Sequence, residues 1–177
     1  MLENALYALV RSTLLDGLTP DVQVKTAYQP TTVAMSSGPV VLMQTILDRR
    51  YGALLRYDDP AGTGDMAHRE TQWWETTMQI GVTARRDPQD PAFLTLPSAM
   101  DICKQASDIL QGDKGLSLLA VQRVRPLRIT EIRQVRFIND SDQYEAMPSF
   151  DVVLVHPQVT TSTTPPAISL EPDFGRV

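Results

Sequence analysis

Residues 39–86 read PVVLMQTILDRRYGALLRYDDPAGTGDMAHRETQWWETTMQIGVTARR, and how this stretch is read decides the fold. From Val40 to Leu47 the chain is apolar and β-branched in the manner of a buried strand, and strand character continues through Asp48, Arg49, Arg50 and Tyr51 to Leu54, Leu55 and Tyr57. It breaks between Asp58 and Asp65, where Pro60 fixes one φ while Gly62 and Gly64 free two others. Strand character returns at His68, and from Trp74 the alternation is strict. Trp74, Thr76, Met78, Ile80, Val82 and Ala84 fall on one face; Glu75, Thr77, Gln79 and Thr83 fall on the other. The pattern predicts a long hairpin. Strands usually run about 5 or 6 residues, and these arms far exceed that. The distal part, from Arg49 to His68, carries polar and charged residues on both faces, so a small core does not bury it. An arm that projects in this way is expected to touch a partner.

On the N-terminal side, Leu2, Ala5, Leu6, Leu9, Val10 and Leu14 recur at helical spacing ahead of Asp16-Gly17, which predicts an amphipathic helix over residues 2–16. Residues 22–28 alternate with period two and read as an edge strand, and residues 29–39 as a loop. On the C-terminal side, residues 85–91 are a polar break. Ser98, with Asp101 three positions on, is placed to cap a helix whose apolar face is Met100, Ile102, Cys103, Ala106, Ile109 and Leu110, ending at Gly112. A short helical turn capped by Asp113 follows. Residues 123–138 predict one strand whose alternation slips once, as a bulge makes it do. After the turn Asn139–Asp142, residues 144–156 return as a second hairpin partner, a central strand partly covered on both faces.

From Gln158 the character changes. Thr160, Thr161, Ser162, Thr163, Thr164, Pro165 and Pro166 have the composition of a linker too polar to pack, and beyond them Ile168, Leu170, Phe174 and Val177 are apolar residues on a short tail that either frays or docks on a neighbouring chain. The expected organisation is therefore one α+β domain over residues 1–157, with a Thr/Pro-rich linker and tail over 158–177. Its sheet is mostly antiparallel, built from two hairpins, one long and protruding, with two main helices together on one face.

The 177 residues suffice for one domain of ordinary size, and 42% hydrophobic with 21% charged residues is the balance of a folded soluble chain. No apolar run approaches the roughly 20 residues of a spanning helix. Met1-Leu2-Glu3-Asn4 lacks the basic start of a signal peptide, so synthesis and retention in the cytoplasm are expected. Cys103 is the only cysteine and sits on a predicted helix, which points to a buried structural thiol. The net charge of −5 is uneven: six acids stand against Arg176 alone in residues 139–177, whereas Arg123, Arg125, Arg128, Arg133 and Arg136 face only Glu131. Overall attraction to nucleic acid is not expected, although a local basic patch is.

Catalytic chemistry needs a nucleophile with a base, paired carboxylates, a metal cluster or a phosphate cradle. Only His68, near the hairpin tip, and His156, at a strand end before Pro157, are histidines, both at positions that read as exposed. Gly62-Thr63-Gly64 lacks the lysine and the strand-to-helix setting of a phosphate loop. Asp58, Asp59 and Asp65 match no calcium loop and read as a solvated tip. No catalytic, metal or cofactor residues are assigned. Trp73, on the polar face beside Glu75 and Gln79, is either an interface anchor or covered by the chain's own helix or loop. Arg123 and Arg125 share a face. They, and Arg133 with Glu131, form either a solvated strand face with an ion pair or one edge of a subunit contact that meets acids of a neighbour.

Ile46-Leu47-Asp48-Arg49-Arg50-Tyr51-Gly52, Glu70-Thr71-Gln72-Trp73-Trp74-Glu75-Thr76-Thr77-Met78-Gln79 and the run from Phe137 to Asp151, together with the order of elements, resemble the neck and tail-terminator proteins of tailed bacteriophages, contractile-tailed ones above all. The likeness covers roughly residues 1–157. It implies a small α+β virion subunit without enzymatic activity that forms a hexameric ring on the tail tube, ends polymerisation of tube and sheath, and faces the neck proteins beneath the portal. DNA passes through such a ring without specific binding. An adjacent gateway or collar ring is the alternative within the class. A monomeric enzyme, marked by a deep polar pocket, and a nucleic-acid adaptor using the five arginines are the alternatives outside it. On the ring reading, the expected interface residues are Asp48, Arg49, Arg50, Tyr51, Trp73, Arg123, Arg125, Arg133, Ile168, Leu170 and Phe174.

Overall fold

The computed structural model describes residues 3–26, 38–61, 65–84, 95–138 and 144–164. Helix α1 (Glu3–Gly17) buries Leu6, Tyr7, Val10 and Leu14, the expected apolar stripe, and Thr13 satisfies its hydroxyl on the Leu9 carbonyl at 2.9 Å. Strand β1 (Gln23–Thr26) lies at the sheet edge, as its alternation predicts, and pairs parallel with β2 (Val40–Ala61). The long hairpin is β2 with β3 (Asp65–Thr83), paired from Val40↔Thr83 to Ala61↔Asp65.

Helix α2 (Ala99–Gln111) begins with the predicted capping box: Ser98 Oγ accepts from the Asp101 N–H at 3.1 Å, and the Asp101 carboxylate accepts from the Ser98 N–H at 2.9 Å. Ser98→Ala removes one half of this exchange and is expected to cost about 1 kcal/mol, read as a lower urea midpoint at unchanged slope. Helix α3 (Asp113–Val121) is a full nine-residue helix, and its N-cap is Gly112 without a side-chain bond, not Asp113 as expected.

Two further readings are corrected by the sheet. Residues 123–138 form not one slipped strand but β4 (Arg125–Ile129) and β5 (Arg133–Ile138), both antiparallel to β6 (Tyr144–Thr164). Pro126, which has no N–H for a ladder, sits in the edge strand β4 beside a register shift between Pro126 and Arg128. Across the break, Thr130 stays attached to β6 by its N–H to the Asp151 carbonyl at 2.9 Å and by its hydroxyl, which accepts from the Asp151 N–H at 2.8 Å.

The larger correction concerns residues 158–164, read as a linker. They continue β6, paired with the outer half of β3 from Gln72↔Gln158 to Met66↔Thr164. The physical reason is that a hairpin leaves the outer edge of β3 with unpaired N–H and C=O groups, and a threonine-rich segment, β-branched and without core to bury, is suited to complete that ladder.

The sheet order is β1-β2-β3-β6-β4, with β5 also beside β6. One face meets the helices. Val41, Met43, Met78, Ile80, Val82, Phe150, Val152 and Leu154 are buried there against Ile102, Cys103, Ala106 and Leu110 of α2 and Leu6, Val10 and Leu14 of α1. Burial stops where β2 changes register between Thr45 and Leu47. At that point the Thr45 N–H donates to the hydroxyl of Tyr7 at 2.6 Å, so α1 is tied to the root of the arm. Beyond it, every residue described from Ile46 to Asp59 is exposed, and β2, β3 and β6 run on as a three-stranded blade.

Candidate assembly surface on the arm

The two faces of the blade differ in chemistry. On the side continuous with the helix-covered face, Arg56 pairs with Glu70 at 2.9 Å, and His68 bridges the strands, meeting Asp58 at 2.7 Å and the Thr164 hydroxyl at 2.6 Å. This polar ladder links β2, β3 and β6. The opposite, outer face carries Tyr51, Leu55 and Tyr57 of β2, Trp73 of β3 and Val159 of β6, which the register aligns as Tyr51↔Trp73, Leu55↔Thr71 and Thr71↔Val159. Tyr51, Leu55, Tyr57 and Val159 are 40–55% exposed, and Leu127 of β4 is 58% exposed. A second register shift between Tyr51 and Leu55, with Gly52 at φ +71°, bends the blade at this level.

Two hollows open on the outer face and share Trp73. The first, about 560 Å³, lies between Tyr51 and Gly52 on one side and Arg125, Pro126, Leu127 and Val155 on the other. The second, about 370 Å³, is lined by Leu55, Tyr57, Arg69 and Arg123, with Asp59 as the acid among its lining residues. Arg123, at the turn between α3 and β4, has φ +57°, the left-handed conformation that L side chains rarely adopt. Aromatic and aliphatic groups flanked by guanidinium groups make this face a candidate for an apolar partner with acidic residues.

The predicted interface residues divide. Tyr51, Trp73 and Arg125 are brought together in the first hollow, and Arg123 adjoins them through the second. Arg49 is engaged within the chain, at 2.6 Å from Glu75, and Arg133 binds Asp151 at 2.5 Å in place of the expected Glu131. Arg50 stands opposite Trp74, on the helix side of the sheet. Ile168, Leu170 and Phe174 lie outside the described residues. Leu55, Tyr57, Arg69, Leu127 and Val159 were missed. The alternation of Leu55 and Tyr57 against Arg56 and Asp58 was visible in the sequence, but the contribution of Val159 is invisible while its segment reads as a linker.

Asp48 serves a buried polar chain at the root of the arm. Thr76 donates its hydroxyl proton to Asp48 at 2.5 Å and lies 2.9 Å from Nε2 of His156. His156 was expected to be exposed; it is 5% exposed, because β6 runs on past it and α1 covers it with Leu6 and Glu3. A carboxylate only accepts, so the single hydroxyl proton goes to Asp48 and Nε2 of His156 carries the proton it donates. That tautomer offers Thr76 no base. A 180 Å³ cavity lies beside this chain of polar groups, walled by Trp74 and Gln158.

Burial pushes the pKa of His156 below its ordinary value, against an opposing pull from Asp48. As pH falls below about 6.5, the unfolded chain takes up a proton that the folded imidazole resists. Stability is therefore full above that pH and declines below it until the folded group titrates. His156→Gln, which keeps a donor toward Thr76, is expected to flatten this acid limb of a plot of urea midpoint against pH. Cys103 is buried as expected, and desolvation raises its thiol to about 11, leaving it protonated at neutral pH. Among the described residues no His, Cys, Asp and Glu group forms a metal cluster, and no helix is long and apolar enough to cross a membrane.

Residues 3–166 match the family of the E217 gateway protein gp29. The chain belongs to this family. The match spans all nine strands and helices among the described residues and includes the β6 extension that completes the blade. Members of the gateway family are structural bacteriophage proteins, and the chain is a virion structural protein and not an enzyme. Among solved structures the fold is similar to the sheath/tube terminator of an extracellular contractile injection system, PVC, determined by cryo-EM in the extended state, with a TM-score of 0.53 and 10% identity. The alignment covers 100% of this chain and 64% of that one, so the chain spans about two thirds of the length of this structural neighbour. At that identity the likeness is one of fold: an α+β subunit with a mostly antiparallel sheet and long hairpin strands. No curated protein matches.

Proposed function

We propose that this gateway-family protein forms a hexameric ring at the head-proximal end of a phage tail, where it ends the tube and sheath and joins them to the neck proteins beneath the portal. The observation that carries the reading is the blade: three long strands leave the core, and their outer face presents Tyr51 and Leu55 to solvent around the half-buried Trp73, with Leu127 of β4 exposed alongside and Arg123 and Arg125 adjoining. An exposed patch of this kind on a structural protein fits a subunit contact, and a ring requires two different edges that meet. The blade supplies one edge. The sheath/tube terminator likeness supports the fold such a ring is built from. In this reading Tyr51, Trp73, Arg123 and Arg125 contact a neighbouring subunit, Asp48, Arg49 and Arg133 hold the blade's root and the strand beside it in shape, and DNA passes through the lumen without specific binding. The protein is made in the host cytoplasm before incorporation.

A second reading, suggested by the name of the gateway family, puts the ring one position further toward the head, between the terminator and the portal. Light scattering of the purified protein, followed by negative-stain images with tail tubes, separates the outcomes. Six-fold rings or single discs at one tube end support termination. Rings that ignore tubes but bind neck proteins support the gateway placement. A monomer that binds neither overturns both.

A further inference from the structure

The geometry points to an occupant for the two hollows around Trp73: the segment Ile168-Ser169-Leu170-Glu171-Pro172-Asp173-Phe174 of a second copy of this chain. The inference rests on the ring reading above and names the contact that closes it.

The chemistry matches on both sides. The paired hollows offer apolar floor from Tyr51, Trp73, Leu55 and Leu127, and cations from Arg69, Arg123 and Arg125. None of these three arginines is joined to an acid by an ion pair among the described residues. An extended ligand for this surface needs large apolar side chains interleaved with carboxylates, and the acid among the lining residues, Asp59, sits in the hollow farther out along the blade. Segment 168–174 has that composition, with Ile168, Leu170 and Phe174 around Glu171 and Asp173. Two hollows sharing one tryptophan also suit two anchors spaced along a strand-like peptide, such as Leu170 and Phe174.

Chain direction selects a neighbour's blade over the chain's own. Thr164 ends β6 opposite Met66, whereas the residue opposite Trp73 is Pro157, seven positions back. At about 3.3 Å per residue this places the hollows roughly 23 Å behind the end of β6. To reach them, the same chain would have to reverse at once, yet Pro165-Pro166 follows directly. A proline biases the residue before it toward extended conformations, and a second proline at the i+2 position is disfavoured in a type I turn. The run therefore disfavours an immediate return to the chain's own blade and favours a second copy, which in a head-to-tail ring presents the same face.

The test uses a fluorescent peptide of residues 165–177 and the full chain, held dilute enough to be monomeric by light scattering. Anisotropy is expected to show saturable binding that Trp73→Ala and, separately, Arg123→Glu with Arg125→Glu each weaken at least tenfold. A peptide with Glu171→Lys and Asp173→Lys is expected to lose binding to a similar extent. Absence of binding, or binding that these variants leave unchanged, overturns the proposal. The full chain carrying Leu170→Ala and Phe174→Ala, whose own tail is disabled, is expected to bind the peptide no more tightly than the unaltered chain. Much tighter binding there means the tail fills its own hollows and overturns the second-copy assignment. Discs at tube ends formed by a chain that does not bind the peptide overturn this contact and leave the ring reading intact.

Discussion

Replacing residues 52–72 by Asn-Gly is expected to leave a folded monomer that no longer assembles. The register sets the cut, because Tyr51 and Trp73 are direct partners and a two-residue type I′ turn closes an antiparallel pair at such a position. Little stability is lost. The buried core of β2 ends at Met43 and that of β3 lies at Glu75 and beyond, so the excised residues remove no core side chain. Residues 158–164 of β6 lose their partner strand, but apart from Val159 they are polar, and all except the half-buried Gln158 are exposed, so they bury little. The thermal midpoint is expected to stay within a few degrees of the unaltered protein, while light scattering reports a monomer and tube ends remain uncapped. Rings formed by this variant would sink the assignment of the blade as the intersubunit element. A collapsed midpoint would show instead that the polar ladder of Asp58, His68 and Thr164 stabilises the domain itself.

Gly115→Ala is expected to produce the largest loss of stability from any single methyl group. A Cβ at residue 115 falls 1.9 Å from the carbonyl oxygen of Ile109 and 3.0 Å from its carbonyl carbon, both backbone atoms of α2. No rotamer change clears such a contact, so the α2–α3 corner has to open. Leu110 and Leu119, fully buried on either side of that corner, are then displaced together. Overpacking of this sort costs about 1–3 kcal/mol when side chains yield, and more when backbone must move. A loss of about 3 kcal/mol or more, or insoluble expression, is expected from chemical denaturation. Gly52→Ala is the matched control. That residue has positive φ but no atom within 4 Å of an added Cβ, so only the left-handed strain of about 1 kcal/mol applies. Equal losses at the two sites would refute the steric account of Gly115.

Periodicity made much of the domain legible. The stripe of α1, the capping box at Ser98, the alternation from Trp74 to Val82 and the pairing of residues 144–156 in a second hairpin are patterns whose causes lie within a few residues of each other, and each is present in the fold. The placement of Trp73 on the face opposite to Trp74 follows from the same two-residue period, although that face is aromatic along the blade and not polar throughout. Motif likeness pointed to the phage neck and tail-terminator class, and the family match agrees. Composition misled at residues 158–164, because six polar residues around the single apolar Val159 have the statistics of a linker whether or not an open strand edge stands beside them.

By itself, then, the sequence determined α1, α2, the one-sided core and the length of the hairpin. All of these rest on local spacing and residue type. The tertiary structure decided that the arm is three strands wide, that His156 is buried against Thr76 and Asp48, that Arg49 and Arg133 are engaged at home, and that Tyr51, Trp73, Arg125 and Leu127 converge on one hollow. The physical reason is sequence separation. These contacts join residues many positions apart, and whether an exposed strand edge or a buried hydroxyl finds its partner depends on where the chain returns, which no local pattern encodes.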